Sequence, residues 1–223
     1  MQLSRLQMLY HNIDQNTDEW LALRAGKLTG SGFSKMMANF GKAFGEPAKK
    51  YAADIAIEQI TGTPTGQGYS NEHMERGHEQ EPLARMKYEE DFFCEVTNGG
   101  FFESDWIGVS PDGLVYDDGL IEIKSVISSA HFANIKRQSF DPAYKWQLVG
   151  NLKFTGREWI DFISFCADYP EDKKLYTYRL FKDDLTEEFA QMDERIAQFK
   201  DLVTDTKTKI LESKYYLTSA EAA

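Results

Sequence analysis

The chain is 223 residues long, and its 42% hydrophobic and 27% charged residues exclude a disordered or fibrous protein. Lys and Arg total 25 against 36 Asp and Glu. The resulting net charge of −11 excludes a coat protein that holds DNA by bulk charge, but not an enzyme with a local basic groove.

Along the chain the charge is uneven: residues 1–66 sum to +1, 67–124 to −10, 125–160 to +3 and 161–223 to −5. No apolar run reaches the ~20 residues that span a bilayer, and no signal-peptide core follows Met1–Arg5. Two cysteines, Cys94 and Cys166, form no CxxC pair and fit a reducing compartment, so a cytoplasmic protein is expected. No repeat, low-complexity tract or linker divides the sequence, so one domain over 1–223 is expected.

Thr17 or Asp18 caps a short helix through Arg24, and a second helix opens near Ser31. Glycines mark loops at Gly41–Gly45 and Thr61–Gly68. Between them, Ala48–Ile60 reads as a helix with Ala53, Ile57 and Ile60 inward and Gly62 as its stop. Asn71–Asp91 reads as a longer helix with Met74, Leu83 and Met86 inward and a kink or restart at Pro82. The period then changes. Phe93–Val96, Phe101–Glu103, Trp106–Ser110, Leu114–Tyr116 and Leu120–Lys124 read as short strands parted by Asn-Gly and Asp-Gly turns. Helices at Ser128–Arg137 and Pro142–Phe154 follow, then strands at Trp159–Cys166 and Leu175–Phe181. A long terminal helix, Asp183–Tyr216, carries Leu185, Phe189, Met192, Ile196, Phe199 and Val203 at helical spacing. Helices flanking a mostly consecutive mixed sheet make an α/β (α+β) fold.

The chemistry concentrates in Ser110-Pro111-Asp112-Gly113 and Leu120-Ile121-Glu122-Ile123-Lys124. Asp117-Asp118-Gly119 turns the chain back between them, which can bring Asp112 beside Glu122. Alternation puts Ile121 and Ile123 on one face and Glu122 and Lys124 on the other. Two converging carboxylates suit Mg²⁺, and a Lys two residues on can orient or deprotonate a water while metal ions polarise a phosphate. The same pattern also describes an amphipathic hairpin with a solvated Glu–Lys face. Glu79 and Glu81 upstream favour the metal, because so many acids with few bases repel one another unless a cation is bound. His73 and His78 lack the i, i+4 spacing of helical zinc motifs, and no Gly-rich phosphate loop signals an ATP motor.

Asp112, Glu122 and Lys124 resemble the acid…acid-x-Lys signature of the restriction-endonuclease-like PD-(D/E)xK nucleases. Trp20-Leu21-Ala22-Leu23-Arg24, Leu28-Thr29-Gly30-Ser31, Gly77-x-x-x-Glu81, Ser110-Pro111-Asp112-Gly113, Glu122-Ile123-Lys124 and Gln147 follow in a known order. It is that of the lambda exonuclease family, the YqaJ-like viral and prophage recombination alkaline exonucleases, over roughly residues 15–165. The resemblance implies a restriction-endonuclease-like core. It also implies a 5′→3′ exonuclease that digests linear double-stranded DNA from 5′-phosphorylated ends in a bacterial host cytoplasm. Such an enzyme releases 5′-mononucleotides and leaves 3′ single strands for a single-strand annealing protein. It implies two Mg²⁺ ions, with Mn²⁺ able to substitute, held by Asp112, Glu122, the Ile123 carbonyl and Glu81, with Lys124 handling the attacking water. The implied assembly is a ring-shaped homotrimer.

Arg24, Ser31, Ser110 and Gln147 fall where the family binds the 5′-terminal phosphate, and Arg, Ser and Gln are apt donors for it. The plain alternatives are an Arg24 pair with Asp18 or Glu19, Ser31 as a helix cap, and Gln147 on a helix surface. Met74 falls at the family's apolar wedge, with helix-core packing as the alternative. The family carries a groove-contacting Arg near Gly41, where this chain has Lys42. Lys42, Lys136, Arg137 and Lys145 join Arg24 as candidate DNA-facing bases. A structure- or sequence-selective endonuclease on the same fold and a non-catalytic DNA-binding module are the other readings; the intact Glu-x-Lys speaks against the second.

Overall fold

The computed structural model describes residues 8–65 and 75–214 in full and the backbone of 72–74. The first elements are β1 (Leu9–His11), α1 (Asp18–Arg24), β2 (Leu28–Thr29), α2 (Phe33–Met37), α3 (Glu46–Thr61) and α4 (Glu72–Phe92). Five strands follow: β3 (Val96–Asn98), β4 (Phe101–Glu103), β5 (Ile107–Val109), β6 (Gly113–Val115) and β7 (Gly119–Ser125). The chain continues through α5 (Ser128–Arg137), α6 (Lys145–Thr155), β8 (Trp159–Phe165), β9 (Leu175–Phe181) and α7 (Thr186–Glu212).

The strands divide into two sheets rather than one consecutive sheet, ordered β1-β4-β5-β2 and β3-β6-β7-β8-β9. In the larger sheet β7 and β8 are parallel and every other neighbour is antiparallel. A parallel pair needs a long crossover, and α5 and α6 supply it. The expected α/β architecture with a mixed sheet, flanking helices and a long C-terminal helix is therefore present.

β8 shows how the sheet separates its faces. Trp159, Ile163 and Phe165 pack with Ala84 and Tyr88 of α4, whereas Ile160 and Phe162 pack with Leu148 and Leu152 of α6. Each residue turns to the opposite side from its neighbour, as pleating requires. Asp161 falls on the α4 side, where Tyr88 donates to it at 2.7 Å and Arg179 grips it through two bonds of 2.7 and 2.8 Å.

Several expected faces are corrected. In α3 the buried residues are Ala48, Ala52, Ile55 and Ala56, while Ile57 and Ile60 are exposed. Alanines at i, i+4 and i+8 let α3 approach its neighbours closely, so small residues rather than large ones mark the core face. In α4, Ala84 and Tyr88 face inward, and Leu83 and Met86 are 49% and 53% exposed. Pro82 neither ends nor restarts α4, which continues through it. The strand expected at Phe93–Val96 begins at Val96, because Phe93 has φ 51° and ends the helix instead. β1 and β2, of three and two residues, are too short to show a period. Cys94 and Cys166 are free. Among the described residues no helix is long and apolar enough to cross a membrane.

Candidate active site

The β6–β7 hairpin sets the centre of the site. Its register pairs Gly113 with Ile121, and the Asp112 amide donates to the Ile121 carbonyl at 3.1 Å. One step further along an antiparallel ladder, Asp112 lies opposite Glu122. Asp112 Oδ2 accepts from the Ile123 amide at 2.6 Å, and Lys124 Nζ reaches Glu122 Oε1 at 2.6 Å. Glu122 is fully buried beneath α6, where Gln147 donates to Oε1 and Asn151 donates to Oε2 at 2.9 Å.

Glu81 joins them from α4. Together with Asp112, Ile123, Lys124, Gln15 and Tyr144 it lines a cleft of about 670 Å³. Burial pushes the Glu81 carboxyl up to about 7, helped by the negative charge of Asp112. Burial, with Asp112 again adding, raises Glu122 to about 8. The Asp112 carboxyl is also raised by burial, against the pull of Lys124, the Ile123 amide and Gln15. For Lys124, burial works to strip the proton, but Glu122 and Asp112 outweigh it and hold the ammonium above the usual lysine range. Glu79 is exposed and outside the cleft.

The donors of Asp112, Glu122, Glu81 and the Ile123 carbonyl are all oxygen, which suits a hard cation. A divalent ion would offset the burial that chiefly raises these carboxyls and the mutual repulsion that adds to it. Among the described residues, no three His, Cys, Asp or Glu side chains are gathered as tightly as a metal cluster. The positive charge that Glu122 meets here is Lys124 itself.

A second group lies around Trp20. The Arg24 guanidinium stacks 4.0 Å from the centre of the Trp20 ring, and the Trp20 indole N–H donates to Ser110 Oγ at 3.2 Å. Arg24 makes no pair with Asp18 or Glu19, so its donors remain available. Ser31 is exposed in the turn Gly30–Gly32 and caps no helix. Gln147 is not a surface residue: its amide serves Glu122, and its Cγ would lie 3.9 Å from a Cβ on Gly30.

The residues 19–158 match the YqaJ-like viral recombinase domain. The chain belongs to the YqaJ-like viral recombinase family. The family expected from the motifs is thus confirmed. No curated protein sequence matches significantly. The alkaline exonuclease of Laribacter hongkongensis is similar at 32% identity over 88% of this chain and 99% of that one, with a TM-score of 0.74. The same protein in complex with dAMP gives a TM-score of 0.75. A phage-related exonuclease from Haemophilus somnus 129PT, 16% identical over 82% of this chain and 96% of that one, shares the fold with a TM-score of 0.66.

The other candidate contacts of this YqaJ-like chain lie elsewhere. Lys42, Lys136, Arg137 and Lys145 do not line the cleft. Lys42, Lys136 and Arg137 are exposed, Arg137 donating to Asn134 Oδ1 at 2.9 Å, whereas Lys145 is paired with Glu188 at 2.9 Å. Met74 falls in the first turn of α4, and its side chain lies outside the described residues. Among the described residues, the basic groups that do line the cleft are Arg76, His78 and Lys124. Gln15, Trp20, Tyr144 and Asn151 were not legible as site residues. Of these, Trp20 and Asn151 did carry a signal, each standing four residues from a site residue on one helix face.

Proposed function

We propose that this chain is a metal-dependent 5′→3′ exonuclease acting on linear double-stranded DNA. Family membership and the 32% identical alkaline exonuclease support a DNA exonuclease role. The observation that carries the finer reading is the opposition of Asp112 to the buried Glu122, with Lys124 joining Glu122 to the cleft that Asp112, Glu81 and Lys124 line. Asp112, Glu122, Glu81 and the Ile123 carbonyl would hold up to two Mg²⁺ ions, or Mn²⁺ in their place. When bound, such ions polarise the scissile phosphate and lower the pKa of a water.

The protein's own residues do the rest. Lys124, a protonated ammonium at the cleft wall, orients the attacking water and meets charge on the phosphate. Arg24 and Ser31 bind the 5′-terminal phosphate, joined by Ser110 once its hydroxyl turns from the Gly100 carbonyl, and so set the register of the end, with Gln147 tying that region to Glu122. The product, a 3′ single strand, would pass to a single-strand annealing protein. Without an ATP motif, processivity would come from a homotrimeric ring around the duplex, in the host cytoplasm.

End-labelled linear duplex with Mg²⁺ tests this reading. The 5′ label should leave first as mononucleotide, and closed circular duplex should stay intact. Early loss of the 3′ label would overturn the polarity, and cutting of the circle would make the enzyme an endonuclease.

A further inference from the structure

Asn151 lies one turn beyond Gln147 on α6 and is 1% exposed. Side chains at i and i+4 share a helix face. These two amides take opposite oxygens of one carboxylate, Gln147 donating to Glu122 Oε1 and Asn151 to Oε2. The other end of the Asn151 amide is unusual. Its Oδ1 is buried without a hydrogen-bond partner and abuts Gly30, where a Cβ would lie 3.4 Å from it. A buried polar atom left unpaired is rare and calls for an explanation.

Glu122 supplies it. With Glu122 ionised, as a cation ligand must be, turning the amide over would set Oδ1 against the carboxylate, acceptor against acceptor, and leave Oε2 without its donor. The orientation that strands Oδ1 is therefore the one that serves Glu122. An apolar side chain of similar size would bring no unpaired atom of its own but would strip Glu122 Oε2 of its donor, so the reason for an amide here is Glu122 rather than packing. Gln147 and Lys124 both act on Oε1, which leaves Asn151 as the group that sets the other oxygen.

We infer that Asn151 is a positioning residue for Glu122, fixing the plane of its carboxylate opposite Asp112 before a divalent cation binds. This role presupposes Glu122 as a metal ligand. Groups that hold a ligand in place typically contribute about 10- to 100-fold in metal affinity.

Calorimetric titration of the full chain with Mn²⁺ separates the two claims, using N151L, N151A and E122Q with melting curves in chelator. N151L should weaken Mn²⁺ binding by about 10-fold or more and raise the Mg²⁺ concentration for half-maximal cleavage by a similar factor. Its melting temperature in chelator should fall, because Glu122 Oε2 loses its buried donor even though the unpaired Oδ1 goes with the amide, so the Mn²⁺ titration is run well below that midpoint. N151A gives the same readout should the leucine not pack. Wild-type Mn²⁺ affinity in both Asn151 variants, with E122Q unable to bind, overturns the positioning role alone. Wild-type affinity in E122Q overturns the metal reading and the positioning role with it. Slower cleavage by N151L at an unchanged Mg²⁺ requirement also overturns the positioning role.

Discussion

Lys124 Nζ sits 2.6 Å from Glu122 Oε1, and the two side chains differ sharply in exposure, 21% against 1%. The lysine thus joins a fully buried carboxylate to the open cleft. Replacing one partner of such a pair strands the other, a loss well beyond that of a surface ion pair. Lys124→Ala should abolish cleavage while DNA ends still bind, because the proposed phosphate-binding residues around Trp20 are untouched. Single-turnover cleavage and end binding by fluorescence anisotropy check this. Cleavage at the wild-type rate with Mg²⁺ would remove Lys124 from the chemistry.

The pH dependence follows from the raised carboxyls. Glu81 titrates at about 7 and Glu122 at about 8 in the folded chain, against 4.5 ordinarily. Between these values the folded chain binds more protons than the unfolded one, so its stability falls as pH rises through the folded values. His131, held neutral by burial, acts in the opposite sense only below its ordinary 6.5. The clean window is therefore about pH 7 to 8. In chelator the melting temperature should fall across it, and E122Q should flatten the fall. Added Mg²⁺ should recover stability increasingly with pH, because the ion competes with protons for the same oxygens. A melting temperature that rises from about pH 7 to 8 in chelator contradicts the assignment.

The group around Trp20 predicts end chemistry. Arg24 has its guanidinium stacked on Trp20 and feels the Glu58 charge without an ion-pair contact among the described residues, and Trp20 reaches Ser110. Burial lowers the Arg24 pKa, yet the side chain stays a cation at neutral pH. Linear duplex with a 5′-phosphate should be degraded faster than the 5′-hydroxyl form, and Arg24→Ala should erase that preference while cleavage remains. Equal wild-type rates on both substrates would remove the phosphate pocket and leave a nuclease without it.

Stability should depend on Arg195. It is 1% exposed on α7, and its guanidinium donates to the carbonyls of Met36 and Lys42 at 3.0 Å and of Ala38 at 3.2 Å, beneath the Phe44 ring. One side chain thus ties the end of α2 and the Lys42 loop to the terminal helix. Arg195→Met keeps bulk and removes every donor, leaving the buried Met36 carbonyl unpaired and the part-buried Ala38 and Lys42 carbonyls without theirs, at a cost of about 2 kcal/mol. Urea denaturation measures it, and a change below about 0.5 kcal/mol would show these bonds to be replaceable by water.

The sequence by itself determined the helical and strand periods, the fold class and the family. It also determined the Asp112–Glu122 opposition, because that rests on one hairpin whose two-residue alternation and Asp-Asp-Gly turn are local. Met192, Ile196, Phe199 and Val203 were legible for the same reason, since a long helix repeats its stripe many times. Tertiary structure decided what local pattern cannot carry. Ile57 and Leu83 face solvent because α3 packs through alanines and α4 through Ala84 and Tyr88, a choice made by how closely the neighbouring elements approach. Arg195 is buried because three carbonyls some 150 residues away turn towards it. Gln147 and Asn151 meet Glu122 only because the crossover from β7 to β8 lays α6 over the hairpin. A polar residue on a helix reads as solvated until the element it faces is known. The acidity of residues 67–124 likewise takes on its chemical meaning once α4 and the β6–β7 hairpin bring Glu81, Asp112 and Lys124 to one cleft.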